Sequence, residues 1–520
     1  MREGTGRSAF LVAAGILCSR LAGLVRLRVF AHYFGLESDA ADAFNAAFRI
    51  PNFLQNLFGE GALSASFIPV YAALLARGES READRVAGAV ASLLAFFVAL
   101  LVLVGVLATP LMVAAIAPGF TGDKRELTVQ LVRVLFPGAG LLVLSAWCLG
   151  VLNSHRRFLL SYTAPVVWNV AMIATLAWFG SADLPRLAYY LAWGSVAGSA
   201  LQFAVQVPAV LAAAPDLRFA LDAASEHVRV VAANFVPVFI SRGVVQVSAY
   251  VDSLLASLLP TGAVTGITNA QLLYTLPVSL FGMSVAAAEL PTMSGEAANE
   301  GAASEALRAR LDAGLRRIAF FAVPSAMAFL ALGDVLAAAL LQTGRFRHTD
   351  AIYVWGILAG SSIGLLPSTL GRLYASAYYA LRDTRTPLKF ALVHVTLATV
   401  LGYLFALPLP RLLGIAAVWG AAGLTTSAGL AGWAEMLLLR RSLNGRIGKT
   451  GLEMGYVVKL WTCAAFGAAI GWAVKIVLPQ LHPILTAVFI LIPYGAAFFG
   501  AAFLFRIPEA SSALGRFSRK

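Results

Sequence analysis

Apolar runs long enough to cross a bilayer follow one another along almost the whole chain, separated by short polar breaks rich in Gly, Pro, Asp and Asn. Hydropathy predicts about fourteen spans, over residues 9–34, 42–76, 86–116, 127–153, 162–180, 184–213, 228–259, 263–297, 311–341, 350–381, 387–407, 413–439, 453–478 and 483–505. The expected fold is an all-α polytopic membrane protein. Breaks such as residues 117–124 (APGFTGDK) leave no room for a separate soluble domain. The first run has a signal-peptide look, with Arg2 and Arg7 ahead of residues 9–17. Ile16 and Leu17 are not the small residues of a cleavage site, however, and apolar sequence continues to Val29, so this run is read as the first span.

Polar positions cluster where the apolar pattern should exclude them. Arg20, Arg26, Arg28, Asp42, Arg49 and Glu60 all lie between Ser19 and Pro69, and a charge at the centre of a span costs roughly 2.5 to 3.5 kcal/mol. At about 100° per residue, Asp42, Asn45, Arg49, Asn52, Asn56 and Glu60 share a sector of roughly 80° on one helix, while Phe44, Phe48, Leu54 and Phe58 occupy the remainder. The second span thus carries one wet stripe, and Pro51 within it frees a backbone carbonyl. Such a stripe either glues helices together or lines a cavity. The excess of Arg over acid, once the loop residues Glu37 and Asp39 are set aside, favours a cavity for an anionic ligand, because guanidinium is always charged and its planar fork matches carboxylate or phosphate.

Composition agrees with the pattern: 59% of the 520 residues are hydrophobic and only 12% are charged. The net charge of +13 sits in the breaks between spans, which is an orientation signal and not a nucleic-acid footprint. With the N-terminus inside, Arg77, Arg81, Arg85, Arg156, Arg157, Arg308, Arg310, Arg382, Arg385, Arg440, Arg441 and Arg446 fall on the cytoplasmic side, whereas Lys124, Arg125, Arg186, Arg345, Arg347 and Arg411 fall outside. Over the whole chain the bias is roughly four to one, so both termini are expected in the cytoplasm. Lys459 and Lys475 lie near the ends of the thirteenth span and can snorkel. Arg20, Arg26, Arg28, Arg49, Arg133, Arg242 and Arg372 remain inside spans as functional candidates.

Cys18, Cys148 and Cys463 stand in apolar sequence without a CxxC, and the six His residues lack metal spacing, so neither a disulfide framework nor a metal centre is expected. No P-loop, no GxSxG and no acid pair with a base supports an enzyme. Transport without ATP would draw on a Na or H gradient, the membrane potential or substrate removal.

An internal repeat is visible. FIPVYAALLARGESREADRV from Phe67 echoes ELPTMSGEAANEGAASEALR from Glu289, and LNSHRRFLLSYTAP before the fifth span corresponds to ALRDTRTPLKFA before the eleventh. Six spans per copy place both copies the same way up, related by a pseudo-twofold axis along the membrane normal. The expected organisation is an N-terminal lobe over 1–220, a C-terminal lobe over 221–445, and residues 446–520 with two further spans that offer a groove for a lipid tail.

At SRLAGLVR, DAFNAAFRIPN and GEGALSASFIPVY the chain resembles the MurJ (MviN) family of lipid II flippases, and ALRDTRTPLK resembles the family's second signature. The resemblance implies the MOP exporter superfamily fold. It also implies alternating access of two lobes around a cationic central cavity, which moves lipid II, the undecaprenyl-pyrophosphate-linked disaccharide peptide, from the cytoplasmic to the periplasmic leaflet. Carried over by position, it makes Ser19, Arg20, Arg26, Asp42 and Glu60 required residues, places Asn52 in a shared PN pair, and puts Arg372 where the family often has a basic residue. Gln55 and Leu272 stand where the family has further arginines, and Leu27 where an acid commonly follows Arg26. Arg242 in the seventh span is an additional cation and the candidate replacement.

Asp252 matches one ligand of a sodium site found in some relatives, but Ala398 and Gly402 occupy the other positions, and one carboxylate is a poor cage for a hard cation. The implied setting is the bacterial inner membrane, as a monomer among membrane lipids and cell-wall synthesis proteins. Two other readings stay open on the residues: a related lipid-linked polysaccharide or cation-coupled drug exporter of the same superfamily, and a non-transporting membrane scaffold, which would not need the charged stripe.

A topology reporter fused after Arg157 or Arg446 is expected to read cytoplasmic, and one near Arg347 periplasmic. A periplasmic signal at Arg446 would overturn the span order.

Overall fold

The computed structural model describes residues 2–58, 60–222, 225–297 and 303–511. Among these, helix is nearly the only regular structure. The chain runs through α1 (Arg2–Phe34), α2 (Asp39–Phe58), α3 (Glu60–Ala76), α4 (Ser80–Ile116), α5 (Gly122–Ser154), α6 (Phe158–Phe179), α7 (Leu184–Ala213) and α8 (Glu226–Ser257). It continues through α9 (Ala263–Pro277), α10 (Ser284–Ala297), α11 (Ala303–Leu341), α12 (His348–Ala380), α13 (Arg385–Ala406) and α14 (Pro408–Leu412), and ends with α15 (Gly420–Ile447), α16 (Met454–Val477) and α17 (Pro483–Leu504). A six-residue π-helix, Val278–Met283, joins α9 to α10 directly after Pro277, whose missing N–H disturbs the ordinary ladder.

Ten helical stretches are long and apolar enough to cross a membrane, which makes this a multi-pass membrane protein. Helices also occupy the other expected spans, as α1, α2 with α3, α8 and α15. Those four carry polar residues within them: Arg20, Arg26 and Arg28 on α1, the Asp42 to Asn56 stripe on α2, Arg242 and Asp252 on α8, and Glu435 on α15. The expected second span, 42–76, is helical over its described residues, as α2 and α3 on either side of residue 59, which lies outside them.

Two compact units emerge, Met1–Val264 with Thr343–Phe346, and Thr265–Gln342 with Arg347–Lys520. In the first, α5 is the axis, packed on α2, α3, α4 and α7. In lipid, burying apolar surface gains little, so close packing and polar contacts must hold helices together. Accordingly, Ser145 on α5 donates to Gln206 Oε1 at 2.9 Å and accepts from Gln202 Nε2 at 2.9 Å, linking α5 to α7. In the second unit α12 packs on α11 and α15. A Cβ on Gly364 would stand 2.8 Å from Gly429 Cα, so this crossing requires glycine on both helices.

Large apolar side chains point outward, including Phe96, Phe97, Leu103, Leu107 and Leu111 on α4 and Phe489 and Ile492 on α17, as lipid contact demands. Lys475 does not snorkel into water: its Nζ meets the buried Asp334 of α11 at 2.5 Å.

The repeat seen in sequence is also a repeat of backbone geometry. Before α6, Arg156 takes φ 59° while Arg157 N donates to Leu152 O at 2.8 Å; before α13, Arg382 takes φ 58° while Asp383 N donates to Tyr378 O at 2.9 Å. Both are the same left-handed helix-ending turn.

In the second copy that turn is closed by Asp383. Its carboxylate accepts from the Thr386 hydroxyl at 2.7 Å and the Thr386 amide at 3.0 Å, and pairs with Arg446 at 2.8 Å. These hydrogen bonds, Thr386 first and then the guanidinium, hold the group down at about 2 against an ordinary 3.8. A depressed carboxyl stabilises the fold fully above its unfolded value and loses that contribution as pH falls through the folded one. Asp383→Asn should therefore lower the unfolding midpoint at neutral pH, and the difference from the parent should shrink between about pH 4 and pH 2. A pH-independent difference in a thermal unfolding series would contradict this.

Candidate functional site

The charged residues of the first unit resolve into three clusters along α1 and α2. Arg26 sits where α1 packs along α6. Its guanidinium carbon lies 4.7 Å from the Trp168 ring centroid and 5.7 Å from that of Phe48, and the two rings stack on one another at 5.7 Å. Nη1 approaches Met172 Sδ at 3.5 Å, and the buried Nε has no hydrogen-bond partner. Among the described residues no carboxylate pairs with this cation. Ring faces attract it, but they supply no acceptor lone pairs to its fork.

Arg49, in the middle of the α2 stripe, reaches α8. Its Nη1 donates to Ser253 Oγ, the Tyr250 hydroxyl donates to Arg49 O at 3.2 Å, and the Asp252 carboxylate acts electrostatically on the same guanidinium. Phe53 meets Tyr250 edge to face at 5.4 Å. The candidate sodium ligand thus lies in the field of an arginine. Ala398 and Gly402, on α13, are buried and bring no side-chain oxygen. No group of three or more His, Cys, Asp or Glu side chains suited to a metal occurs among the described residues.

Asp42, near the start of α2, is 1% exposed. One of its oxygens accepts from Lys124 Nζ at 2.9 Å and from the Gly262 amide at 2.9 Å. Lys124 also pairs with Asp39 at 3.0 Å, donates to Thr261 at 3.3 Å and lies 4.4 Å over the Phe120 ring. This knot ties the start of α2 to the first turn of α5 and to the loop before α9. Asp42 and Arg49 are seven residues apart, about 10 Å along the axis, and hold different partners.

The remaining candidates are more dispersed. Ser19 is half-buried and Arg20 exposed on α1, Asn52 is half-buried on α2, and Arg372 is exposed on α12 of the second unit. The side chains of Glu60 and Arg242 lie outside the described residues. Lys124, Trp168, Met172, Tyr250 and Ser253 are the site residues that sequence reasoning passed over. Lys124 was counted only as a loop charge, and a lone aromatic, Met or Ser in an apolar span gives no signal by itself.

An all-helical fold of membrane-spanning units with arginines held inside the spans is that of a polytopic membrane transporter. Solved structures bear out the fold: a lipid II flippase MurJ in an inward closed conformation matches with a TM-score of 0.76 at 21% identity, over 96% of this chain and 99% of that one. A multidrug resistance MATE family transporter of the MOP superfamily, inward-facing, matches with a TM-score of 0.65 at 15% identity, over 82% and 95%. The sequence is more specific. The family described as lipid II flippase MurJ matches residues 30–492. The lipid II flippase MurJ of Burkholderia cenocepacia is 34% identical over 446 residues, 85% of this chain and 84% of its own, and a probable lipid II flippase MurJ of Vibrio cholerae is 29% identical over 84% and 82%. The chain belongs to the MurJ family of lipid II flippases.

Removing one partner of a buried ion pair leaves an uncompensated charge and costs about 3 to 5 kcal/mol. Lys124→Met should therefore destabilise the detergent-solubilised protein by about 3 kcal/mol, and Asp42→Asn in the same chain should recover part of the loss. Additive losses in the double variant would show that the pair is not coupled.

Proposed function

We infer that this chain is a lipid II flippase that carries the undecaprenyl-pyrophosphate-linked peptidoglycan precursor from the cytoplasmic to the periplasmic leaflet of the bacterial inner membrane by alternating access. Family membership supports the substrate, and one structural observation carries the chemistry: Arg26 is half-buried, held by Trp168, Phe48 and Met172, with a buried, unsatisfied Nε. A guanidinium without a described carboxylate is a receptor for an anion, and pyrophosphate supplies several acceptor oxygens for its fork. Arg242 on α8 is proposed to replace the arginines absent at Gln55 and Leu272. The protein makes and breaks no covalent bond in this reading, acts as a monomer with both termini in the cytoplasm, and serves the cell-wall synthesis proteins that consume lipid II.

Either an ion gradient or the membrane potential would drive the cycle. Nearby Arg49 favours the potential over sodium, because its positive field at Asp252 opposes a second cation there. A cation carried through the field exchanges about 2.3 kcal/mol per 100 mV.

Expression in a bacterial strain depleted of its own lipid II flippase should restore growth. Arg26→Ala should abolish rescue while the protein still appears in the membrane fraction, and Arg26→Lys, which keeps the charge but loses the planar fork, should rescue weakly. No growth with the inserted parent chain would sink the function, and full growth with Arg26→Ala would remove Arg26 from it.

A further inference from the structure

Arg133 plays no part in the site above, yet it stands on the spanning helix α5, exposed, with no ion pair or hydrogen bond among the described residues. An arginine facing hydrocarbon with no partner is costly, so water or an anion must meet it. It opens into a cavity of about 710 Å³ between the first turns of α5 and α7, lined also by Leu127, Gln130, Arg186, Tyr189 and Tyr190. Arg186 is held through Nε by Asp183 at 3.3 Å, and the Tyr190 ring packs on Phe179 at 4.5 Å, so the α7 side of the cleft is braced. Two guanidinium groups against one carboxylate leave a net positive mouth.

Below that mouth the outward face of α7 turns apolar. Trp193 is 51% exposed, and Leu201 and Val205 follow it at helical spacing. Tyr and Trp at one level of a spanning helix mark the membrane–water interface. A cationic mouth at the headgroup level that leads onto an exposed apolar stripe has the chemistry of a lipid with an anionic phosphodiester: the phosphate meets the two forks, Gln130 and the tyrosine hydroxyls supply further polar contacts, and an acyl chain lies along Trp193 and Leu201. A free phosphate ion would have no use for the stripe, and a zwitterionic lipid would bring its ammonium to the arginines.

We propose that the cleft between the first turns of α5 and α7 is a binding site for an anionic glycerophospholipid, with Arg133 and Arg186 as the phosphodiester ligands. It is independent of the site that carries lipid II, and it places a membrane lipid as a fixed partner of the first unit.

The test uses the full chain in nanodiscs doped with a photoactivatable phosphatidylglycerol, with cross-links mapped by peptide and normalised to cross-links elsewhere on the same chain. Labelling should concentrate on the first turns of α5 and α7, and Arg133→Gln with Arg186→Gln should lower it about tenfold or more. A matching phosphatidylethanolamine probe should label the cleft several-fold less. If Arg133→Gln fails to insert, Arg186→Gln alone should still lower labelling several-fold. Unchanged labelling in the variants, or equal labelling by both lipids, would overturn the proposal. Displacement by inorganic phosphate would also overturn it, by assigning the cleft to small anions.

Discussion

Charge inside hydrocarbon must be met by an opposite charge, a hydrogen bond, a ring face or water, and most of what is distinctive here follows from how each such charge is met. Opposite charge is the commonest answer. Asp42 meets Lys124, Asp334 meets Lys475, and Glu289 accepts from both Arg310 and Arg317. Each of these ties two or more helices, or a helix and a loop, at a defined level. Buried pairs of this kind are weak evidence for stability but good evidence for register, because no shifted packing keeps both partners satisfied.

Arg26 is an exception, and an informative one. Its neighbours are rings and a thioether, which hold the guanidinium in place without neutralising it. A stripe that served only as glue would satisfy its cations within the protein, as Arg49 does through Ser253 and the field of Asp252. The polar residues of α1 and α2 therefore divide by role. Asp42 and Arg49 hold partners on other elements, whereas Arg26 has no carboxylate partner among the described residues, and that difference is what its proposed role toward an anionic headgroup rests on.

The remaining architecture is what packing without a hydrophobic drive requires. Glycines face each other where α12 crosses α15, a Ser and two Gln residues bridge α5 and α7, and bulky apolar side chains are left on the outside for lipid. The left-handed turns at Arg156 and Arg382 end their helices by the same hydrogen bonds, so the paired loops share one local geometry, which the turn at Arg506 also adopts.

The class of protein, the placing of most spans, the paired loops and the polar face of α2 were legible in the sequence, because each depends on residues within a few turns of one another and is written in local hydropathy and helical spacing. The partners were not. Lys124 is 82 residues from Asp42, Met172 is 146 from Arg26, Ser253 is 204 from Arg49 and Asp334 is 141 from Lys475. A side chain reaches only a few ångströms, so which distant residue stands within that reach is decided by how the helices pack, and an arginine that will be paired reads the same in a single sequence as one that waits for a ligand.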